Sequence, residues 1–376
     1  DIGRLETMEQ EERRPVGAVM VVGGGVGGIQ AALDLADAGF KVYLVERQPA
    51  IGGRMAQLDK TFPTNDCSMC TLAPRLVECG RHPNITVLTC AEVKEVRGVA
   101  GDFTVRVRQY ARLVDPEKCR GCGECETFCP VEVKDEFNQG LSVRKAIYRP
   151  YPQAVPNVYA IDIQHCIECV ECEEACAAGA VNPLMVDREY RLRVGAILLS
   201  PGYALFDAVG RPEFGYGIFA NVVTSLEFER ILSASGPFQG RLVRPSDGTV
   251  PKKVAFIQCV GSRDPARGAV YCSAVCCMHA TKQALLVKEH VPDAEVAVFY
   301  IDIRAFGKDF ERYYQRAQEA GVRYVRCMVS QVTELPGSGQ LVVRYLAPDG
   351  ASCEERFDLV VLAVGLRPAR GVKELA

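Results

Sequence analysis

Two cysteine runs of identical spacing, Cys119-x2-Cys122-x2-Cys125-x3-Cys129 and Cys166-x2-Cys169-x2-Cys172-x3-Cys176, restrict this chain more than any other feature of its sequence. Three thiols at i, i+3 and i+6 can wrap a cubane cluster within a compact loop, while the fourth is carried off by the following helical turn and reaches the neighbouring cluster. The spacing therefore assigns Cys119, Cys122, Cys125 and Cys176 to one 4Fe-4S cluster, and Cys166, Cys169, Cys172 and Cys129 to the other. Zinc is the competing chemistry for C-x2-C pairs, and two matched triplet-plus-one arrays argue against it. Pro130 follows the first run and Ala177 the second, a difference that touches the local turn and not the ligand count.

Eight of the eighteen cysteines fall in these two runs, an odd disulfide framework, which points to a reducing cytoplasm, in an anaerobe. The net charge of −3 is spread over both signs, so neither a nucleic-acid footprint nor a polybasic membrane patch is expected. No apolar run is long enough for a membrane span. The charged stretch Glu9 to Arg14 leads into a strand-length apolar segment rather than a secretory leader.

Along the chain, Val16–Val22 reads as a strand, Gly23–Gly28 as a turn, Ile29–Ala38 as a helix and Lys41–Glu46 as the next strand. Apolar and polar positions alternate over 84–114 (Ile85, Val87, Val93, Val96, Phe103, Val105, Val107), as in a meander of short strands. Cysteine, proline and acidic residues interrupt this pattern over 115–185, and an apolar strand resumes at Val194–Leu199. From 251 a second α/β unit follows: strand Val254–Gln258, helix Ser273–His290, strand Val296–Ile301, helix Lys308–Ala320, and strands at 322–329, 341–346 and 358–364. The expected fold is α/β with two dinucleotide-type domains. Its parts are a first Rossmann-type segment over 15–114, an inserted two-cluster ferredoxin-like α+β domain over 115–185, a continuation and linker over 186–250, and the second domain over 251–368. The order is similar to that of two-dinucleotide flavoprotein reductases such as thioredoxin reductase.

Gly23-x-Gly25-x-x-Gly28 sits between strand and helix, where glycines allow a tight turn and close approach of a pyrophosphate to the helix N-terminus. Glu46 ends the second strand, where a carboxylate can accept from ribose hydroxyls. A glycine-rich turn without a ligand is the plain alternative. Resemblance to the two-dinucleotide flavoproteins implies FAD rather than NAD, because Gly52-Gly53-Arg54 follows Glu46 at their spacing and Val194–Gly202 is similar to their second signature. The residues so implied are Gly23, Gly25, Gly28, Glu46, Arg47, Gly53, Arg54 and Gly202. For the second signature, a buried strand before an ordinary turn is the alternative.

The second unit carries no glycine turn of the kind NADPH needs after Val254–Gln258. Instead Cys259, Cys272, Cys276 and Cys277 form C-x12-C-x3-C-C, with one thiol at a strand end and three around the first turn of a helix. Cys272 and Cys276 are expected on one helix face, and the group as a third 4Fe-4S site; buried core cysteines are the rival reading. Here the resemblance narrows: Ile257–Asp264 (IQCVGSRD), Tyr271–Ala280 (YCSAVCCMHA) and Asn65–Pro74 (NDCSMCTLAP) resemble the A-subunit family of heterodisulfide reductase, over Val16 to Pro368.

That resemblance implies an oxidoreductase component carrying FAD and about three 4Fe-4S clusters, passing electrons between them, by flavin-based bifurcation in some members. It also implies partners among other redox subunits of such a complex, with ferredoxin or hydrogenase-type donors. Cys67 and Cys70 are taken as shared ligands of a further cluster, with Cys79 or Cys90 or residues of a longer N-terminal region completing it; a redox disulfide near the flavin is the rival. Cys327 and Cys353 read as core residues, and Lys60 as either a stabiliser of reduced flavin or a solvated lysine. No catalytic acid or base is assigned. Two other functions stand beside this one: an NAD(P)H-dependent oxidoreductase similar to the glutamate synthase small subunit, and a non-enzymatic cluster scaffold. After Asp358–Pro368 the architecture would return to the flavin domain, so a longer chain or a separate polypeptide is expected to complete it.

Overall fold

A computed structural model describes residues 15–267, 269–369 and 371–372. The first unit opens β1 (Ala18–Val22), α1 (Val26–Asp37), β2 (Lys41–Val45), α2 (Ser68–Arg81), β3 (Ile85–Leu88). Apolar, β-branched strands joined by helical crossovers are buried on both faces, and they pair in parallel. With a later strand, β11 (Ala196–Leu199), they form the sheet β11-β1-β2-β3. Ile29, Leu33, Leu44, Ile51, Leu72 and Leu76 fill the space between sheet and helices.

The expected meander over 84–114 is only partly what forms. Ile85 and Val87 join the parallel sheet as β3, and only β4 (Ala91–Val99) and β5 (Asp102–Gln109) make an antiparallel hairpin. Alternation with period two marks a strand but carries no information about which sheet it joins. The α2 crossover decides that.

After β5 comes the cysteine-rich insert, with α3 (Glu124–Thr127), β6 (Glu132–Lys134), β7 (Val143–Lys145), β8 (Ile147–Tyr148), β9 (Ala160–Ile161) and α4 (Glu171–Glu174). Its ends meet: Val114 bridges Val181, and the Asp115 N–H donates to the Ala180 carbonyl at 2.7 Å. β10 (Arg188–Val194) then lies antiparallel to β5, and β11 (Ala196–Leu199) returns beside β1.

The second unit follows β12 (Tyr203–Leu205) and comprises β13 (Val222–Thr224), α5 (Ser225–Leu232), β14 (Lys253–Val260), α6 (Cys276–His290), β15 (Glu295–Tyr300), α7 (Phe310–Glu319), β16 (Val322–Arg326), β17 (Met328–Glu334), β18 (Leu341–Leu346), β19 (Ser352–Phe357), β20 (Leu359–Val364) and β21 (Leu366–Pro368). A parallel sheet runs β13-β20-β14-β15-β16, and β17-β18-β19 form an antiparallel layer. Three expectations change. β13 and α5 belong to this sheet, through the β13–β20 pairing, rather than to the linker expected over 186–250. The strand expected at 322–329 is two strands in different sheets. The helix expected from Ser273 starts at Cys276, because Ala274 sits at φ 64°, which no helical residue can adopt.

Arg230 of α5 joins all three parts. Its side chain is fully buried. It donates to the Asn138 Oδ1 of the insert at 2.9 Å, to the Gln57 carbonyl at 3.1 Å and to the Ser235 Oγ at 3.4 Å, and it stacks over the Phe137 ring at 4.8 Å. Burial lowers its pKa to about 10, against the pull of Asp135, Glu229 and Asp59, so it stays charged at neutral pH. Arg230→Ala strands these acceptors and is expected to lower the unfolding free energy by about 2–4 kcal/mol, read as a fall in the urea midpoint; an unchanged midpoint contradicts this account of the junction.

Candidate functional site

The turn from β1 to α1 is shaped by what its glycines leave out. A Cβ on Gly23 (φ 108°) would strike the Ser200 carbonyl, and one on Gly28 would strike the Gly23 carbonyl, so both positions exclude side chains. At Gly25, the residue before α1, a Cβ would meet nothing within 4 Å: the helix N-terminus faces open space. Gly52 lies along this turn, its N–H donating to the Gly24 carbonyl at 2.7 Å, and Gly53 abuts the Gly25 backbone. Free N–H groups at the helix end and a cradle without side chains fit a pyrophosphate. β11 pairs with β1, bringing the Ser200–Gly202 turn against Gly23.

Glu46 directly follows β2, and its carboxylate accepts from the backbone N–H groups of Gly24 at 2.7 Å and Gln48 at 2.8 Å. It thereby ties the glycine turn to the strand end while remaining partly exposed. Arg47 beside it is exposed. Arg54 donates to the Gln57 Oε1 at 3.0 Å. Tyr203, next to Gly202, is a residue that sequence reasoning missed. Burial raises its phenol pKa, with Arg54, Glu229 and Cys276 all within electrostatic range.

The insert sorts its thiols crosswise. One cavity, about 330 Å3 including its open mouth, is lined by Cys119, Cys122, Cys125 and Cys176 with Val114, Tyr159 and Val181. The other, about 320 Å3, is lined by Cys129, Cys166, Cys169 and Cys172 with Ile147, Ile161 and Val170. The strongest electrostatic neighbours repeat the partition, with Cys172 of the other set acting on Cys125 more weakly. Burial pushes Cys125 up to about 12, followed by the repulsion of Cys119, Cys176 and Cys122. Burial likewise pushes Cys172 up to about 11, followed by Cys166, Cys129 and Cys169. Cys176 moves the other way: burial would raise it, but the N–H groups of Ala180, Val181, Ala178 and Gly179 hold it down. Soft donors on the walls of an apolar-backed cavity suit a multi-iron cluster, whose binding displaces the thiol protons.

Cys259, Cys272, Cys276 and Cys277 lie within electrostatic range of one another, while among the described residues no group of three or more such side chains is gathered as a metal ion would need. Burial pushes Cys276 up to about 12, with Cys259, Cys277 and Cys272 adding to it. Cys259 ends β14 at φ 61°, and the buried amide of Gln258 beside it has no partner among the described residues. Cys276 and Cys277 open α6; Cys272 precedes it in the loop, so the helix face expected for Cys272 and Cys276 does not exist. Where NADPH would need bare backbone, the Phe206 ring closes on Gly261.

One turn along α6 lies a buried charge network that sequence reasoning also missed. The Glu229 carboxylate accepts from His279 Nε2 at 2.7 Å, from Gln283 Nε2 at 2.5 Å, from Lys282 Nζ, and from the Asp59 N–H at 3.0 Å. Glu229 and Lys282 are almost wholly buried. Burial alone would raise the Glu229 pKa; Lys282 and His279 override it and hold the carboxyl well below its usual range.

A model of FAD dependent oxidoreductases matches residues 18–145. The A subunit of the H(2):CoB-CoM heterodisulfide,ferredoxin reductase of Methanothermobacter marburgensis is 49% identical over 375 residues, covering 99% of this chain and 56% of that protein. The second iron-sulfur A subunit of the CoB-CoM heterodisulfide reductase of Methanopyrus kandleri is 52% identical over 372 residues, 97% of this chain and 56% of that protein. The chain belongs to the A-subunit family of heterodisulfide reductase. It spans about half the length of the curated relatives it matches. Among solved structures, T. acidophilum thioredoxin reductase aligns with a TM-score of 0.46 at 13% identity, over 93% of this chain and 76% of that one.

In this member of the family, Cys67 and Cys70 do not take the place expected of cluster ligands: the structure joins them as a disulfide across the first turn of α2. A C-x2-C pair at a helix start brings its two sulfurs face to face, so the bonded form offers no thiolate to a metal. Cys79 is buried in the core and Cys90 lies against Arg112. Lys60 is paired with Glu289 at 2.9 Å rather than directed at a cofactor. Cys327 and Cys353 pack at the edge of the second unit's core.

Two outcomes test the site. Gly25→Ala has room and an allowed φ of −76°, so it is expected to fold while losing flavin retention, whereas Gly28→Ala collides with backbone and is expected to lower the melting midpoint as well; equal behaviour of the two contradicts the cradle. Lys282→Met leaves Glu229 buried without its ammonium, at a cost of about 2–4 kcal/mol at pH 7. Because the folded-state pKa of Glu229 is depressed in the native chain, its stabilisation exists above the unfolded carboxyl value and is lost as pH falls. The gap between variant and native chain, from urea melts, should therefore narrow on acidification.

Proposed function

We propose that this chain is the flavin- and cluster-bearing electron-transfer part of a cytoplasmic heterodisulfide-reductase-type complex, relaying electrons between FAD and 4Fe-4S clusters and on to other redox subunits, with ferredoxin or hydrogenase-type proteins as donors. The observation that carries this reading is the crosswise sorting of eight thiols around two cavities. Gly23, Gly25, Gly28 and Gly53 would admit the pyrophosphate of FAD, Glu46 would hold the turn in register for its adenosine end, and Arg54 and Gly202 would border it. Arg47 stands at the open end of the same strand. The four thiols of each cavity would ligate one cluster, and Cys259, Cys272, Cys276 and Cys277 a third.

FAD exchanges electrons in pairs or singly, which suits a junction between two-electron chemistry and one-electron wires. The protein's contribution is to hold those centres in apolar surroundings and to position charge near them, through Arg54, Tyr203 and the Glu229–Lys282 pair. A nicotinamide-dependent reading is disfavoured by Phe206, whose ring fills the turn after β14. Among the described residues, no helix is long and apolar enough to cross a membrane.

Protein made and purified without oxygen should contain one FAD and about twelve iron atoms, the content of about three clusters. Paired variants probe the sorting: Cys176→Ser should abolish the same EPR signal as Cys119→Ser, and Cys129→Ser the same signal as Cys166→Ser. A colourless or zinc-loaded protein contradicts the function, and the opposite pairing of signals contradicts the ligand sets.

A further inference from the structure

The two cysteine loops are one motif folded twice, and they differ where the backbone turns left-handed. In the first loop those positions are Gly121 (φ 68°) and Gly123 (φ 93°); in the second they are Glu168 (φ 56°) and Val170 (φ 61°). Glycine takes this conformation freely, whereas a β-branched residue there is an outlier costing on the order of 1–3 kcal/mol. The second loop accepts strain and gains outward side chains.

Val170 joins Ile167 in an exposed apolar patch at the mouth of a thiol cavity. Ile167 and Val170 line the cavity of Cys129, Cys166, Cys169 and Cys172, yet are 64% and 52% exposed, and Ile163 is 61% exposed. Around them Glu168, Glu171, Glu173 and Glu174 are exposed, and none has an ion-pair partner among the described residues. No lysine or arginine occurs between Arg149 and Arg188. The mouth of the other cavity is of a different kind, with Arg120 beside Glu124 and no exposed aliphatic side chain on its lining.

Taking the proposed clusters as given, we infer that the mouth of the second cavity is the docking face for a one-electron carrier protein with a basic rim around its own redox centre. An apolar centre expels water between the two centres, and unpaired carboxylates around it steer a basic partner and repel an acidic one. In the exchange the reduced cluster gives up one electron and the oxidised carrier gains it, with no bond made or broken and no proton moved.

The test uses the intact chain, reduced with dithionite and desalted without oxygen. It is mixed with ferricytochrome c as the basic probe, and separately with an oxidised acidic 2Fe-2S ferredoxin and with ferricyanide. Cytochrome c reduction should be second order and fall by about tenfold or more between about 20 and 300 mM salt, as a steered encounter does. Val170→Gly with Glu168→Gly should slow it by about tenfold at low salt. The melting midpoint of that variant should not fall, because glycine relieves the strain; native iron content, EPR spectra and ferricyanide rate are the controls for the carboxylate variant that follows, whose residues do not line the cavity. Glu171→Gln with Glu173→Gln and Glu174→Gln, which leaves the left-handed positions alone, should also slow cytochrome c and flatten its salt dependence. Native cytochrome c rates in both variants, or faster reduction of the acidic ferredoxin than of cytochrome c, overturn the inference. Native protein lacking iron at the outset overturns the cluster reading itself, which separates the two failures.

Discussion

The crossing of each loop's last cysteine into the other loop's cavity is the constraint on which the insert depends. Its apolar core is small, with Val114, Ala146, Ile147, Val158, Tyr159 and Val181 at its centre, and several cysteines complete that core. A unit of this size gains little from apolar burial alone. Crowded thiols add a cost, since burial and mutual repulsion raise Cys125 and Cys172. Ligation by metal would reverse that cost and staple both halves at once, because each ligand set draws on both loops.

The second unit uses a nucleotide-type framework for other ends. A strand, a turn and a helix N-terminus are all present at β14 and α6, but the turn holds thiols and the Phe206 ring where a phosphate would need bare amides. Behind the thiols, α6 is buried around most of its circumference, so Lys282 and Gln283 can be tolerated only because Glu229 meets them. Arg230 then connects this unit to the insert and to the segment after the glycine turn, through buried hydrogen bonds to Asn138 and the Gln57 carbonyl.

Local chemistry was legible in the sequence, and long-range pairing was not. The glycine turn and the two cysteine loops are marked by spacing over a few residues, and each cavity of the insert is lined by thiols of both loops. The late start of α6 was hidden because Ala274 carries no signal of its left-handed backbone, whereas a glycine there would have. The transfer of β13 and α5 to the second sheet depends on β20, far downstream in the chain. Glu229 and Lys282 were invisible for the same reason, being 53 residues apart and unremarkable as separate charges. The disulfide of Cys67 and Cys70 was one of two chemistries that the same spacing permits.

The insert leaves and re-enters the first unit through neighbouring backbone, where Val114 meets Val181 and the Arg112 carbonyl accepts from the Ile161 N–H at 3.0 Å. A segment closed at its neck imposes no separation on the strands that flank it, so β5 and β10 keep the register of an ordinary antiparallel pair. Loops on the far side of that neck can lengthen, shorten or change their surface chemistry without disturbing the sheet that carries the glycine turn. The chemistry of the insert's outer surface is thus decoupled from the pairing of β1 and β11 that sets the glycine turn.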